Sequence, residues 1–301
     1  MNEIGKKITK KLIEIHGSSD FAIAFLPYKK SMWNSMESVY EECLAAGAMA
    51  YCIPIPYYRL KDHKMIDRID SDQDLFKNAV DTSLLQKVKW DFVVIHYPYD
   101  NNNLVTRMLP TYHTTELRNY GKVVYIPYSC TNMRQLRVQP GIANVDYAFL
   151  GSEAEVITFI DEWKDLGVDF TGRVFGYGSP KMDAMNKLEK GFTTLVINSI
   201  GPFITSPMMR IGMYKDAIRE EIENKTVIFR PHPLLRQTIK ALRPDVEYEY
   251  DRFLEWVKIL GGLVDESEDL EGALASADYL ISDPSSVLEM WVSTGRKYRR
   301  L

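Results

Sequence analysis

Residues 226–234 read TVIFRPHPL. Four strand-favouring side chains, Thr226, Val227, Ile228 and Phe229, run straight into Arg230, Pro231, His232 and Pro233, and a helical pattern follows. The stretch predicts a buried strand ending in a stiff, cationic turn. Its two prolines fix φ on both sides of His232 and remove two backbone donors. In open α/β sheets the carboxyl ends of strands are where ligands bind. Proline-rich strand exits also occur for purely structural reasons, so a second stretch is needed to decide. Residues 277–283, ADYLISD, predict another buried strand, and Pro284, Ser285, Ser286, Val287, Leu288 and Glu289 open the helix behind it. Ser286 and Glu289 have capping-box spacing, which makes Ser286 the expected cap. A helix start carrying two serine hydroxyls suits a phosphate.

The chain has 301 residues, 46% of them hydrophobic and 26% charged, enough for two globular domains. A net charge of -4 gives no overall basic field, which argues against nucleic acid as a partner. Cys43, Cys52 and Cys130 are odd in number and lie in apolar contexts, as buried thiols in a reducing cytosol do. No stretch reaches the roughly 18 apolar residues that span a bilayer, and no signal peptide is visible. Ile4, Ile8, Leu12 and Ile15 share one face of an N-terminal helix, with Lys6, Lys7, Lys10 and Lys11 around it. The expectation is a helix packed on its own domain with solvated lysines; peripheral contact with anionic lipid is the alternative.

Outward from the opening stretch, strands alternate with helices. In the first half, strands are expected at residues 21–26, 50–55, 91–96, 122–126 and 145–150. The first exits through Pro27, Tyr28, Lys29 and Lys30 into a helix from about Ser31, so Lys29 and Lys30 are candidate anion ligands. His96 ends the third strand and is the general-base candidate of this half. Residues 59–89 are expected as an exposed excursion with a helix over 74–87. A second helix is expected over 104–119, and Ser152 with Glu155 forms a capping box. The acidic residues of 62–74 read as solvated surface, and His16, His63 and His113 as bystanders. A glycine- and proline-rich stretch, residues 176–183, marks the domain boundary, giving domains 1–178 and 179–301. The second half repeats the alternation. Two α/β units with charged strand exits imply a cleft between them. No GxGxxG or Walker A pattern occurs, and neither cofactor nor metal is expected.

With both phosphate-type stretches in hand, the chain resembles the CDP-glycerol glycerophosphotransferase family of teichoic-acid and related cell-surface polymer synthesis. The residues carrying this are Arg230, Pro231, His232 and Pro233, then Ser282, Asp283, Pro284, Ser285 and Ser286. Residues 178–183, GSPKMD, match the family's Gly-x-Pro-x-x-Asp segment. The resemblance implies an α/β, GT-B-like architecture of two Rossmann-like domains facing a central cleft, with the nucleotide held by the second. It also implies that His232 and Arg230 contact a diphosphate, that Ser285 and Ser286 bind it from their helix start, and that Asp283 positions that loop. The implied partners are CDP-glycerol or a related CDP-polyol and a glycerol-phosphate or glycan acceptor, lipid-linked forms included. The implied place is cytoplasmic, at the inner face of the membrane. A His-Gly-Thr-Pro segment of the family has no counterpart here, where Tyr125, Ile126, Pro127, Tyr128 and Ser129 stand; His96 is the substitute base. The family also continues beyond the equivalent of Leu301, so the second domain is expected to be shortened. A nucleotide-sugar glycosyltransferase and a non-catalytic nucleotide-binding member are the alternatives.

Overall fold

A computed structural model describes residues 2–61, 64–70, 76, 78–100, 106–128, 138–187, 193–267 and 270–301. The chain divides into two compact units, Met1–Ala184 and Met185–Leu301.

The first unit opens with helix α1 (Glu3–His16) and strand β1 (Ala22–Phe25), followed by α2 (Glu37–Ala45) and β2 (Met49–Cys52). Then come β3 (Tyr57–Lys61), β4 (Lys64–Ile69), β5 (Phe92–Ile95), β6 (Thr106–Met108), β7 (Lys122–Tyr125) and β8 (Tyr147–Leu150). Helix α3 (Glu153–Asp165), β9 (Val174–Gly176) and α4 (Lys181–Lys187) complete it. Six parallel strands form one sheet in the order β2-β1-β5-β7-β8-β9. AIAF in β1 and FVVI in β5 are buried throughout, as strands covered on both faces must be. The chain leaves β1 first towards β2 and later towards β5. The sheet therefore reverses direction between β1 and β5, and the exits of those two strands flank the switch point.

One face of this sheet is covered by α1 and α2. Ile8 and Leu12 of α1 are fully buried with Val39 and Cys43 of α2, so the apolar face of α1 is spent on its own domain. Lys6, Lys7 and Lys10 remain exposed. Burial pushes the Cys43 and Cys52 thiols up to about 12, which leaves both protonated at neutral pH. No helix among the described residues is long and apolar enough to cross a membrane.

Three expectations are corrected here. The excursion after Tyr57 is a β-hairpin, β3 with β4, extended by β6 into a three-stranded antiparallel sheet. Its alternation was hidden because Arg59, Asp67 and Arg68 put exposed charges on both faces of the hairpin. The helix expected over 74–87 is limited among the described residues to Leu84–Lys87. The helix expected over 104–119 is replaced, where described, by β6, a 3-10 turn at Pro110–Tyr112 and one α-turn at Thr114–Leu117. Pro110 accounts for the interruption, because it cannot donate within a helix. His63, Cys130 and part of the acidic run lie outside the described residues.

The second unit runs β10 (Thr193–Ile197), α5 (Ile200–Thr205), α6 (Pro207–Ile222), β11 (Thr226–Arg230), α7 (Leu235–Leu242) and α8 (Glu247–Ile259). It ends with β12 (Leu263–Val264), α9 (Leu270–Ser276), β13 (Tyr279–Ser282), α10 (Ser286–Ser293) and β14 (Lys297–Arg300). Its five parallel strands are ordered β12-β11-β10-β13-β14. β10 lies centrally, pairing with β11 from Thr193↔Thr226 to Ile197↔Arg230 and with β13 from Thr194↔Tyr279 to Ile197↔Ser282. Here the reversal falls between β10 and β13. β14 was not expected; its side chains are all exposed, so no apolar run announced it.

The GSPKMD stretch is locked to the first unit. Gly178 takes φ +104 beneath Ile4, a conformation L side chains rarely adopt. The buried Asp183 carboxylate accepts from the Ile4 and Gly5 amides at 3.1 and 2.7 Å, capping α1 from a distant point of the chain. Asp183→Ala strands two amides that only water can then satisfy. It should lower the stability of the first unit by about 1–3 kcal/mol, read from urea unfolding, with Asp183→Asn losing less.

Candidate functional site

The two phosphate-type stretches lie on one edge of one sheet, on either side of the central strand. β11 exits through Arg230 into the His232 turn, β13 exits into Asp283 and α10, and between them β10 exits into Asn198 and Ser199. That middle exit joins the outer two. Asn198, 1% exposed, accepts the His232 backbone N–H on its Oδ1 at 2.9 Å. Ser199 donates its N–H to Asp283 Oδ2 at 2.9 Å and its hydroxyl to the Pro284 carbonyl at 2.9 Å.

Asp283 is fully buried and saturated with donors. Besides Ser199 it accepts from Arg210 Nη1 at 2.9 Å and from the Tyr214 hydroxyl at 2.5 Å. Arg210 and Tyr214 stand one turn apart on α6, so the helix presents both to the same carboxylate. Burial, reinforced by the Asp283 charge, keeps the Tyr214 phenol protonated far above its ordinary range. Asp283 thus ties the start of α10 to α5 and α6.

The cap of α10 is Ser285, not Ser286. Ser285 Oγ accepts from the Leu288 amide at 3.1 Å and lies 3.4 Å from Ser282 Oγ. With Ser285 capping, Ser286 is the first helical residue and is exposed. Ser285, in extended backbone as a capping residue is, sets the entry angle.

Arg230 is differently placed from the role the resemblance implies. It is 4% exposed, with Nη1 on the Asp265 carboxylate and Ser267 Oγ, and Nη2 on the Ser267 carbonyl at 2.7 Å. Its charge is matched inside the fold, and it braces the β12 exit against the His232 turn. His232 itself is half-buried. Its Nδ1 accepts from the Leu234 amide at 3.2 Å, and desolvation lowers its pKa below the ordinary histidine value.

The other candidates belong to the first unit, at the exits of β1 and β5. Lys29 sits over the rings of Tyr28 and Tyr57 at 5.8 and 5.6 Å, and Lys30 over Phe76 at 5.2 Å. The α-helix expected behind them begins only at Glu37, after a 3-10 segment, Lys30–Ser35. His96 is fully buried, its ring 5.1 Å from that of Tyr28 and edge-on to Tyr97 and Tyr128. Neither ring nitrogen has a hydrogen-bond partner among the described residues. Desolvation, with a smaller push from Lys181, drives its pKa down to about 3. In this place it is a buried neutral imidazole, not a base open to an acceptor.

Sequence reasoning missed Asn198, Ser199, Arg210, Tyr214 and Asp265. Asn198 and Ser199 were findable, since a polar pair directly after the apolar run TTLVI repeats the logic used for the other two exits.

No family model and no curated protein matches the sequence. Solved structures do match its fold. The UDP-GlcNAc 2-epimerase of Methanocaldococcus jannaschii, in complex with UDP-GlcNAc and UDP, aligns with TM-score 0.53 and 13% identity over 93% of this chain and 83% of that one. The enzyme from Neisseria meningitidis bound to UDP-GlcNAc aligns with TM-score 0.51 and 14% identity over 92% and 81%. The wall teichoic acid polymerase TagF aligns with TM-score 0.47 and 11% identity over 97% and 74%, too loosely to carry weight for function. The fold is α/β and GT-B-like, with one Rossmann-like parallel sheet in each unit.

Two outcomes follow from the buried charges. Asp283→Ala leaves Arg210 unmatched and should cost about 3–5 kcal/mol in the unfolding of the second unit, whereas adding Arg210→Met should recover part of the loss. His96 stays neutral in the folded chain down to about pH 3, while in the unfolded chain it takes up a proton below about pH 6.5. Folding stability therefore falls with pH in that window, by up to roughly 1.4 kcal/mol per unit from this one group. His96→Phe should flatten the acid limb in a pH series of chemical unfolding.

Proposed function

We propose that the chain is a transferase that moves glycerol phosphate, or a related polyol phosphate, from a CDP-activated donor to a hydroxyl acceptor in cell-surface polymer synthesis, releasing CMP. The observation that carries this reading is the joining of the His232 turn and the Ser285–Ser286 helix start through Asn198 and Ser199 at one sheet edge. Such an edge, beside a topological switch point and a helix N-terminus, is where a diphosphate is held in folds of this kind.

In this reading the acceptor oxygen attacks the distal phosphorus, the bond from that phosphorus to the bridging oxygen breaks, and CMP leaves with the bridging oxygen. The hydroxyl proton goes to solvent. His232, Ser285 and Ser286 contact the diphosphate, and Asp283 and Arg230 hold the loops that carry them. Within the first unit, Lys29 and Lys30 are the candidate anion ligands. Phosphoryl transfer is mainly positioning and charge stabilisation, so a strongly basic side chain is not a requirement. The proposed place is the cytoplasm, with peripheral contact of the exposed Lys6, Lys7 and Lys10 at the inner face of the membrane as the alternative. A second reading, an enzyme acting on a nucleotide sugar, is favoured by the fold shared with structures that hold UDP-GlcNAc.

Incubation with CDP-glycerol, CDP-ribitol and UDP-GlcNAc separates the two. CMP release from a CDP-polyol that His232→Ala abolishes, with unfolding unchanged, supports the transfer. CMP release unaffected by the substitution, or turnover of UDP-GlcNAc alone, overturns it.

A further inference from the structure

Arginines crowd the carboxyl edge of the second sheet, and most are spent on the fold. Arg230 is held by Asp265, Arg210 by Asp283, and Arg236, in the first turn of α7, by Asp251 at 2.7 Å and Glu266 at 3.6 Å. Arg299 of β14 reaches Glu220 of α6. Arg300 is the exception. It ends β14 at this edge, is exposed, and has neither a hydrogen bond nor an ion pair among the described residues. Glu289, the carboxylate in the first turn of α10, is exposed as well and does not pair with it.

Strand geometry fixes where this cation stands. Arg300 lies opposite Ser282 in the parallel β13-β14 ladder, and the Leu301 N–H donates to the Ser282 carbonyl at 2.9 Å, which holds the backbone there. Ile281 packs with Tyr214 and Ile218 on the α6 face of the sheet. Ser282, the next residue, therefore points to the opposite face, where its hydroxyl lies 3.4 Å from that of Ser285, the cap of α10. Residues opposite one another in a ladder share a face, so Arg300 extends on the α10 side, one strand spacing, about 4.8 Å, from Ser282. Arg299 turns the other way, towards α6, as alternation requires.

We propose that Arg300 is the catalytic cation of this edge: its guanidinium meets the diphosphate held at Ser285, Ser286 and the amides opening α10, and stabilises the charge that gathers on the departing CMP. The proposal rests on the functional reading above and adds a residue that neither the sequence motifs nor the resemblance singles out. Each phosphorus of the donor carries one negative charge, and the phosphate of CMP gains a second as the bridging oxygen leaves with it. A guanidinium answers with two parallel N–H donors. Arg300 gives up no internal partner to do so, whereas withdrawing Arg210 would leave the buried Asp283 carboxylate unmatched.

The test compares Arg300→Ala, Arg300→Lys and Arg299→Ala with the parent chain, using CDP-glycerol and UDP-GlcNAc in calorimetry and CDP-glycerol in the CMP-release assay. Arg300→Ala should weaken binding and lower kcat/KM by about tenfold or more. Arg300→Lys, which keeps the charge without the fork, should lose less. Arg299→Ala, which breaks only a surface ion pair, should stay within about twofold of the parent. Affinity should fall less steeply with salt in Arg300→Ala than in the parent. Free guanidinium ion at millimolar concentration should restore part of the CMP release that Arg300→Ala loses, with unfolding unchanged throughout. Binding and turnover of Arg300→Ala within about twofold of the parent, an unaltered salt slope, an equal loss in Arg299→Ala, a loss that follows lowered stability, or no binding of either ligand overturns the proposal. Arg300-dependent binding without CMP release sinks only the transfer. CMP release indifferent to Arg300→Ala sinks only the role of Arg300.

Discussion

The carboxylate of Asp283 is what the carboxyl edge of the second unit's sheet depends on. Buried without access to water, it is stable as an anion only because an amide, a guanidinium and a phenol converge on it. The donors come from two places: Ser199 from the end of β10, Arg210 and Tyr214 from α6. The charge therefore fixes the relative placement of β10, β13 and α6, and the start of α10 inherits that placement through Pro284. Its net contribution to stability is modest, since burying both partners of an ion pair is costly, but its contribution to a single arrangement is large. Arg230 and Asp265 do the corresponding work at the β11 and β12 exits. Arginines that would look like ligand contacts in a sequence are here the internal bracing of the strand-exit loops.

Much of the fold was legible because parallel strands buried on both faces announce themselves as unbroken apolar runs. AIAF, FVVI, TTLVI and YLIS were all readable this way, and the capping serine of α3 stood out by its spacing to Glu155. What failed to show was structure whose apolar signal is shared with solvent. The β3-β4-β6 sheet carries exposed charges on both faces of its hairpin, and β14 has no buried residue at all. The site divided along similar lines. Residue types that advertise chemistry, His232 and Ser285 among them, were found, whereas Asn198 and Tyr214 act by position and carry no advertisement. Assigning the cap to Ser285 required the backbone conformation, because adjacent serines are equivalent to a spacing rule. The matching of Arg230 by Asp265, 35 residues later, depends on strand order, which local sequence does not encode.

The two histidines at strand exits differ in a way that their neighbours explain. His232 keeps one nitrogen tied to its own turn and the other available, so its tautomer is defined. His96 is enclosed by Tyr28, Tyr97 and Tyr128 with no described partner for either nitrogen, so burial, with a smaller push from Lys181, keeps it neutral. Position at a strand's carboxyl end singled out both. Only the surroundings separate a hydrogen-bonding group with a free edge from one enclosed in aromatic packing.

The outer strand of the second sheet has a bearing on how the molecule behaves in a crowded solution. β14 presents Lys297, Tyr298, Arg299 and Arg300 outward beside a neighbour, β13, whose Leu280, Ile281 and Ser282 are buried. A bare apolar edge of that kind would template pairing between molecules, whereas here Lys297 and Arg300 put charge on the strand and Arg299 is paired with Glu220 of α6. The charged and polar side chains of β14 thus make it a poor template for pairing with a second copy.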